Sequence, residues 1–360
     1  MASDLVLEAA RAVVARECSR PYDVGGGQYV RCGSRLKSRC PGCSDLTVKD
    51  WSAIMRSGIL DAPPDARFLM LTLTAPSFGR THRVAVDGGR SVVCGCGARH
   101  SAEDASLLGV PIDLDGYDYA GAIRWNYGSG VLFRSLVRSL RGRYETLRYV
   151  VVHEWQSRGL LHLHALLRIN GSESPSSVVI EELARAVSAT TVDGRVIRFG
   201  HQVRAEFIRA NGNIAKAVWY LTKSVGYLVK DVADDASEIA VEAREHFRRM
   251  AFAARRWLVC ERCPADGRPC KRRPHRQWGA RSHVVSQSRG KRAWSLTGLT
   301  RKAQREHRIE WAAANSKTND PGWRRFGNAV RARCLLSGQP LAGSWIAVSA
   351  NAPPAEASLF

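Results

Sequence analysis

Residues 147–169 read LRYVVVHEWQSRGLLHLHALLRI. Two apolar runs, 147–155 and 160–169, flank the segment QSRG. The pattern predicts two strands joined by a tight hairpin turn. His162 and His164 then stand one residue apart on the second strand. Period-two geometry turns both imidazoles to one face and Leu163 to the other. A hairpin centred on Arg158 sets Glu154 opposite His162 on that same face. A one-residue slip would put His153 there instead. Two imidazoles and a carboxylate make a donor set for a divalent ion, and the carboxylate favours a hard one, Mg2+ or Mn2+. A lone histidine on a strand is more often a satisfied core residue; the alternating pair beside an acid points to metal.

Outward from this hairpin, RFLMLTLTAP (67–76) reads as a buried strand stopped by proline. Residues 119–145 have helical period, with Trp125, Leu132, Leu136 and Leu140 on one side. A short helix (176–190) and a polar strand (194–208) follow, then a helix opening near Asn211 or Asn213. Residues 2–20 and 46–60 read as further helices, and the tail after Gly338 is rich in Ala, Pro and Ser. The expected class is α+β, a central antiparallel sheet with helices and cysteine-bearing insertions. The expected layout is a helical cysteine-containing segment (1–66), a core (67–257, with an insert at 82–117), a basic region (258–337) and a flexible tail (338–360).

The helix after Asn213 carries Tyr220, Lys223, Tyr227 and Lys230. Tyr-x-x-Lys sets an ammonium one helical turn beyond a phenol. A phenol with a pKa of about 10 needs such help to act as a nucleophile at neutral pH. The spacing is also common on solvated helices.

The 360-residue chain has a formal net charge of +21, from 54 Lys and Arg against 33 Asp and Glu. That surplus attracts polyanions, above all nucleic acid. It is concentrated between Arg244 and Arg308, which hold 19 Lys or Arg and four acids, interleaved with Trp257, Trp278 and Trp294. Arg272, Arg273, Arg276, Arg281, Lys291 and Arg292 are the candidate phosphate contacts, and the indoles are candidates for base stacking. No run of 18 apolar residues is present, so no membrane span is expected, and the acidic N-terminus (Asp4, Glu8) does not read as a secretory signal.

Ten cysteines in a chain without secretory features suggest metal ligation rather than disulfides. Cys260, Cys263, Cys270 and His275 fall within sixteen residues of loop-like sequence and read as a structural zinc site. Cys32, Cys40 and Cys43 could share a second zinc with Cys94 and Cys96, near His100. One or two zinc ions are therefore expected. Cys18 and Cys334 read as isolated core residues.

FLMLTLTAP, then HEWQSRGLLHLHALL, then WYLTKS occur in that order. Together they resemble the motifs of HUH endonucleases. Within that superfamily the chain is similar to replication initiators of rolling-circle plasmids from high-GC Gram-positive bacteria. RCGSRLKSRCPGCSDL and LLGVPIDLDGYDYAGAIRWNYGSGVLF extend the likeness over residues 30 to about 310. The resemblance implies an RRM-like palm and a site-specific single-strand DNA nickase and strand transferase. His162, His164 and Glu154 would hold the catalytic Mg2+ or Mn2+. Tyr220 would form a 5′-phosphotyrosine and leave a 3′-OH primer, with Lys223 supporting the charge and Thr72 and Thr74 helping to position DNA or shaping the site floor. Its implied partners are plasmid origin DNA, single-stranded or hairpin, and a host helicase and polymerase, in the bacterial cytoplasm. The family often has Tyr-x-x-x-Tyr, whereas Lys216 stands four residues before Tyr220; Tyr227 is the candidate for a second nucleophile. Two cysteines common in relatives before YDY are replaced by DLDG. A relaxase or transposase of the same superfamily, or a non-catalytic zinc-containing DNA-binding regulator, is the alternative.

Overall fold

The structure is a computed structural model. It describes residues 18–20, 22–23, 29–30, 32, 37, 40–45, 55, 58–59, 62–85, 91–208, 221, 241–281, 285–288 and 294. The chain divides into two compact units: residues 1–62, 218–232 and 293–360, and residues 63–217 and 233–292. In the first unit, β1 (Tyr22–Asp23) pairs antiparallel with β2 (Tyr29–Val30), and residues 41–45 are helical. Trp294 is fully buried there, and its indole N–H donates to the Met55 carbonyl at 3.1 Å. Of the helix expected over 2–20, residues 18–20 are described and are not helical. Residues 2–17, most of the helix expected over 46–60, the helix after Asn213 apart from Leu221, which is helical, and the tail lie outside the described residues.

The second unit is built on a five-stranded antiparallel sheet in the order β10-β3-β7-β6-β11. Its strands are β3 (Ala66–Leu73), β6 (Arg148–Trp155), β7 (Leu161–Asn170), β10 (Val203–Ile208) and β11 (Val285–Gln287). β7 is central, and all nine residues from Leu161 to Ile169 are buried. Leu163, Ala165, Leu167 and Ile169 join Leu69, Leu71, Leu73 and Val151 in one core. The same core takes Ile123, Trp125, Leu132, Leu136 and Leu140 of α1 (Tyr119–Arg143), so α1 covers the odd-numbered face of the sheet. Asp118 caps α1 by accepting from the Gly121 N–H at 2.7 Å, and Arg141 and Arg143 complement the dipole at its other end. α2 (Ser177–Ala186), capped by Ser176, and α3 (Val241–Arg256) complete the packing through Ile180, Ala184, Met250, Ala253 and Ala254.

The helix and hairpin agree with the sequence expectation to within two residues. The region 176–208 is more divided than expected. The short helix ends at Ala186, and β8 (Ser188–Thr190) turns back onto β9 (Val196–Arg198) as a separate two-stranded ladder. The chain then bends before β10 joins the main sheet. Gly200 makes the bend: its N–H donates to the Thr74 carbonyl at 2.9 Å, and a Cβ would lie 2.4 Å from the Ala75 carbonyl oxygen. The insert between β3 and α1 contains the ladder β4 (Val92–Val93) with β5 (Arg99–His100) and a 3-10 helix, Ala102–Leu107.

α1 fixes the hairpin through polar groups as well as leucines. Trp125 Nε1 donates to the Leu161 carbonyl at 2.8 Å. Asn126, 1% exposed, accepts from the Leu161 N–H at 2.9 Å and donates to the Gly159 carbonyl at 2.9 Å and the Trp278 carbonyl at 2.8 Å. Asn126→Leu keeps the branching at Cγ, with a larger side chain, and leaves these buried backbone groups without their partner. It is expected to destabilise the unit by about 2–3 kcal/mol. Urea unfolding should show a lower midpoint at unchanged slope.

Candidate functional site

The hairpin closes as the centring on Arg158 predicts. Glu154 pairs with His162, Val152 with His164, and Thr72 of β3 lies beside His164 on the other flank. Gly159 takes the left-handed conformation (φ 72°) that the turn needs, and Gln156 N–H donates to the Leu160 carbonyl at 2.9 Å. His153 pairs with Leu163 and so turns to the α1 face, away from the histidine pair.

His162 and His164 lie edge to face with ring centroids 4.4 Å apart, and both are buried. His164 Nε2 is 3.3 Å from a Glu154 carboxylate oxygen, and its Nδ1 is 3.3 Å from the Thr72 hydroxyl. His162 Nδ1 is 3.5 Å from the Gln156 amide nitrogen. Burial, and then the neighbouring His164, lower the His162 pKa to about 4 against the opposing pull of Glu154. The imidazole is therefore neutral at pH 7, the form that binds metal. Two imidazoles and one carboxylate share one face of adjacent strands, a donor set whose chemistry suits a divalent ion. The Gln156 amide sits in the turn beside them, its oxygen accepting from Arg158 Nε at 3.0 Å. Thr72 belongs to the site. Thr74 does not: its hydroxyl donates to the Gln202 carbonyl at 3.0 Å and holds the bend before β10.

The hairpin turn is braced from α3. His246 is fully buried, with Nε2 3.1 Å from the Arg158 carbonyl and Nδ1 3.3 Å from the Tyr119 hydroxyl. Phe247 stacks on Trp278 at 4.8 Å, and Trp278 meets Trp155 edge-on at 5.7 Å. Trp278 is thus packed against the hairpin, and Trp294 is buried in the other unit; of the three indoles expected to face bases, Trp257 is exposed. Arg272, Arg273 and Arg276 are exposed around buried His275 on α4 (Arg273–Arg276). Arg281 differs. It lies over the Tyr127 ring at 4.1 Å and pairs with Glu261 at 2.9 Å, so its charge is engaged within the unit. Lys291 and Arg292 lie outside the described residues, as do Tyr220, Lys223 and Tyr227.

Among the described residues, nine cysteines gather into three four-donor sets, and within each set the donor atoms lie within 4.8 Å of one another. Cys334 lies outside the described residues. Cys260, Cys263, Cys270 and His275 come together as their spacing suggested. Cys32, Cys40 and Cys43 gather with Cys18, whose sulfur is 3.7 Å from that of Cys43 and 3.9 Å from that of Cys40. Cys18 is therefore not the isolated core residue expected. Cys94 and Cys96 meet His82 and His100 in a set of their own rather than sharing donors with the Cys32 group. Cys18 precedes Cys32 by 14 residues and His82 precedes Cys94 by 12, too far for a local knuckle pattern to reveal them.

A family profile described as "Replication initiator protein, pSAM2" (RepSA) matches residues 3–348. The chain belongs to the RepSA family of replication initiator proteins. A curated replication initiator protein of Streptomyces ambofaciens is 33% identical over 230 residues, 52% of this chain and 49% of that protein. The chain thus spans about half the length of the curated relative it matches. No solved structure matches it. The RepSA match takes in the histidine hairpin and all three four-donor sets. Among the described residues no helix is long and apolar enough to cross a membrane.

The brace on the turn titrates. Burial lowers the His246 pKa to about 4, against the raising effect of its bond to the Arg158 carbonyl. The phenols facing it, Tyr117 and Tyr119, are pushed up by burial, Tyr119 to about 12, and stay neutral in the acid range. An unfolded histidine titrates near about 6.5. Between that value and the folded one, the unfolded chain binds a proton that the folded chain refuses, so stability falls as pH falls. Wild type is expected to lose more stability between pH 7 and pH 5 than His246→Gln, measured as urea midpoints at the two pH values. Equal losses would mean that His246 is not the titrating brace.

Proposed function

We propose that this chain initiates rolling-circle plasmid replication by nicking and rejoining one strand of origin DNA, with chemistry of the HUH type on an RRM-like palm. The observation that carries the reading is the meeting of Glu154, His162 and His164 on one face of the central hairpin. Membership of a replication initiator family supports it. A divalent ion, Mg2+ or Mn2+, held by these three residues would supply Lewis-acid polarisation of the scissile phosphate.

The remaining chemistry belongs to the chain. The Tyr220 phenol oxygen forms a bond to phosphorus as the bond from phosphorus to the 3′ oxygen breaks. The phenol loses one proton and the departing 3′ oxygen gains one. The products are a 5′-phosphotyrosyl linkage and a free 3′-OH able to prime a host polymerase. The reverse transfer rejoins the strand. Lys223, three residues after Tyr220, stabilises the developing charge, and Tyr227 is the candidate for a second transfer. Thr72 and Gln156 orient the two imidazoles. Arg272, Arg273 and Arg276 neutralise backbone phosphates and leave sequence choice to other contacts. Zinc ions in the Cys18–Cys32–Cys40–Cys43 and Cys260–Cys263–Cys270–His275 sets would staple the loops that carry them.

Incubating the full chain with single-stranded or supercoiled origin DNA and Mn2+ tests the reading. Nicked DNA carrying protein on its 5′ end is expected, and Tyr220→Phe should remove the covalent adduct. An adduct that persists in Tyr220→Phe would refute that nucleophile. His162→Ala should slow nicking by more than about a hundredfold, because residues that only orient metal ligands already cost about 10–100-fold. DNA binding by that variant should be retained. Wild type that nicks no candidate origin would favour a non-catalytic regulator.

A further inference from the structure

The insert between β3 and α1 poses a stability problem. Between residues 91 and 108 only Cys94 and His100 are buried, and the 3-10 helix Ala102–Leu107 buries none of its residues. Val93 is 60% exposed. An eighteen-residue excursion with no apolar core does not hold one shape by burial alone, and segments of this kind are held by a covalent or metal staple.

The donors for a staple are in place. Cys94 Sγ is 3.6 Å from His82 Nδ1, Cys96 Sγ is 3.3 Å from His100 Nε2, and the two ring nitrogens are 3.2 Å apart. With bonds of about 2.0–2.3 Å, a tetrahedral zinc holds its donors about 3.3–3.8 Å apart. The observed separations match the edges of such a tetrahedron. Two thiolates and two imidazoles in that geometry select zinc over oxygen-seeking ions.

The surroundings are those of a ligand set as well. The second nitrogen of His100, Nδ1, is 3.2 Å from a carboxylate oxygen of Asp104. That contact fixes the tautomer in which Nε2 presents its lone pair to the other donors. Asp104 is itself positioned, since it accepts from the Ser101 N–H at 3.1 Å at the start of the 3-10 helix. The Arg83 N–H donates to Cys94 Sγ at 3.4 Å, which stabilises a thiolate. Gly97, at φ 95°, closes the tight turn between the two cysteines and β5.

We propose that His82, Cys94, Cys96 and His100 bind a zinc ion of their own in a closed Cys2His2 site that ties the insert to the turn of the histidine hairpin. The tie runs through His82. Its backbone N–H donates to the Val110 carbonyl at 2.8 Å, and its carbonyl accepts from the Gly109 N–H at 3.2 Å. Gly109 lies against the hairpin turn so closely that a Cβ would sit 2.5 Å from the Ser157 hydroxyl and 2.7 Å from the Arg158 nitrogen. The ion therefore orders the segment that abuts the loop between Glu154 and His162. Four protein donors leave no open position, so the site is structural.

Zinc per chain, measured by elemental analysis of the purified full chain, tests this independently of nicking. The double variant Cys94→Ser/Cys96→Ser is expected to contain one zinc fewer than wild type. Should that variant fold poorly, Asp104→Asn keeps all four donors and is expected to release one zinc to a chelator about 10–100-fold faster. His100→Cys replaces one zinc donor by another and is expected to keep the ion. Cobalt reconstitution adds a spectroscopic readout: the S2N2 component of the tetrahedral spectrum should vanish in the double variant. An unchanged zinc count in Cys94→Ser/Cys96→Ser, or unchanged release from Asp104→Asn, would overturn the proposal.

Discussion

The constraint on which the second unit depends is that β7 is buried on both faces. A central strand with its backbone fully paired has no solvent to receive a polar side chain. Every polar group it carries must be matched by a neighbour at a fixed register position. The odd-numbered residues escape the problem by being leucine, alanine and isoleucine against α1. The even-numbered residues include His162 and His164, which are met by Glu154 from one side and Thr72 from the other. The same register that packs the core assembles the polar site.

The hairpin was legible because its information is local. Alternation, a four-residue turn with glycine at the left-handed position, and an acid eight residues before a histidine are all visible within 23 residues. Pairing across a tight turn then leaves little freedom. Helix α1 was legible for the same reason, its apolar period through Trp125, Leu132, Leu136 and Leu140 being contained in one segment. The bend at Gly200 was not. It follows from close approach to the Ala75 backbone, a contact between residues far apart in sequence.

The four-donor sets divide along the same line. Cys260, Cys263, Cys270 and His275 lie in one loop, and spacing alone groups them. His82 and Cys18 carry no knuckle signature, because each arrives at its set through the fold. Charge reading had a comparable limit. A basic stretch says that cations are present but not which are already engaged, and Arg281 spends its charge on Tyr127 and Glu261. The indole of Trp278 similarly supports the hairpin rather than facing outward.

The register of β6 against β7 gives the turn a parity. Glu154 and His153 point to opposite faces, so a ladder shifted by one residue would offer His162 an imidazole and bury the carboxylate against α1. A single residue added within 156–159 must therefore either bulge out of the turn or exchange the donor set. Two added residues can extend the loop symmetrically and leave Glu154 where it is.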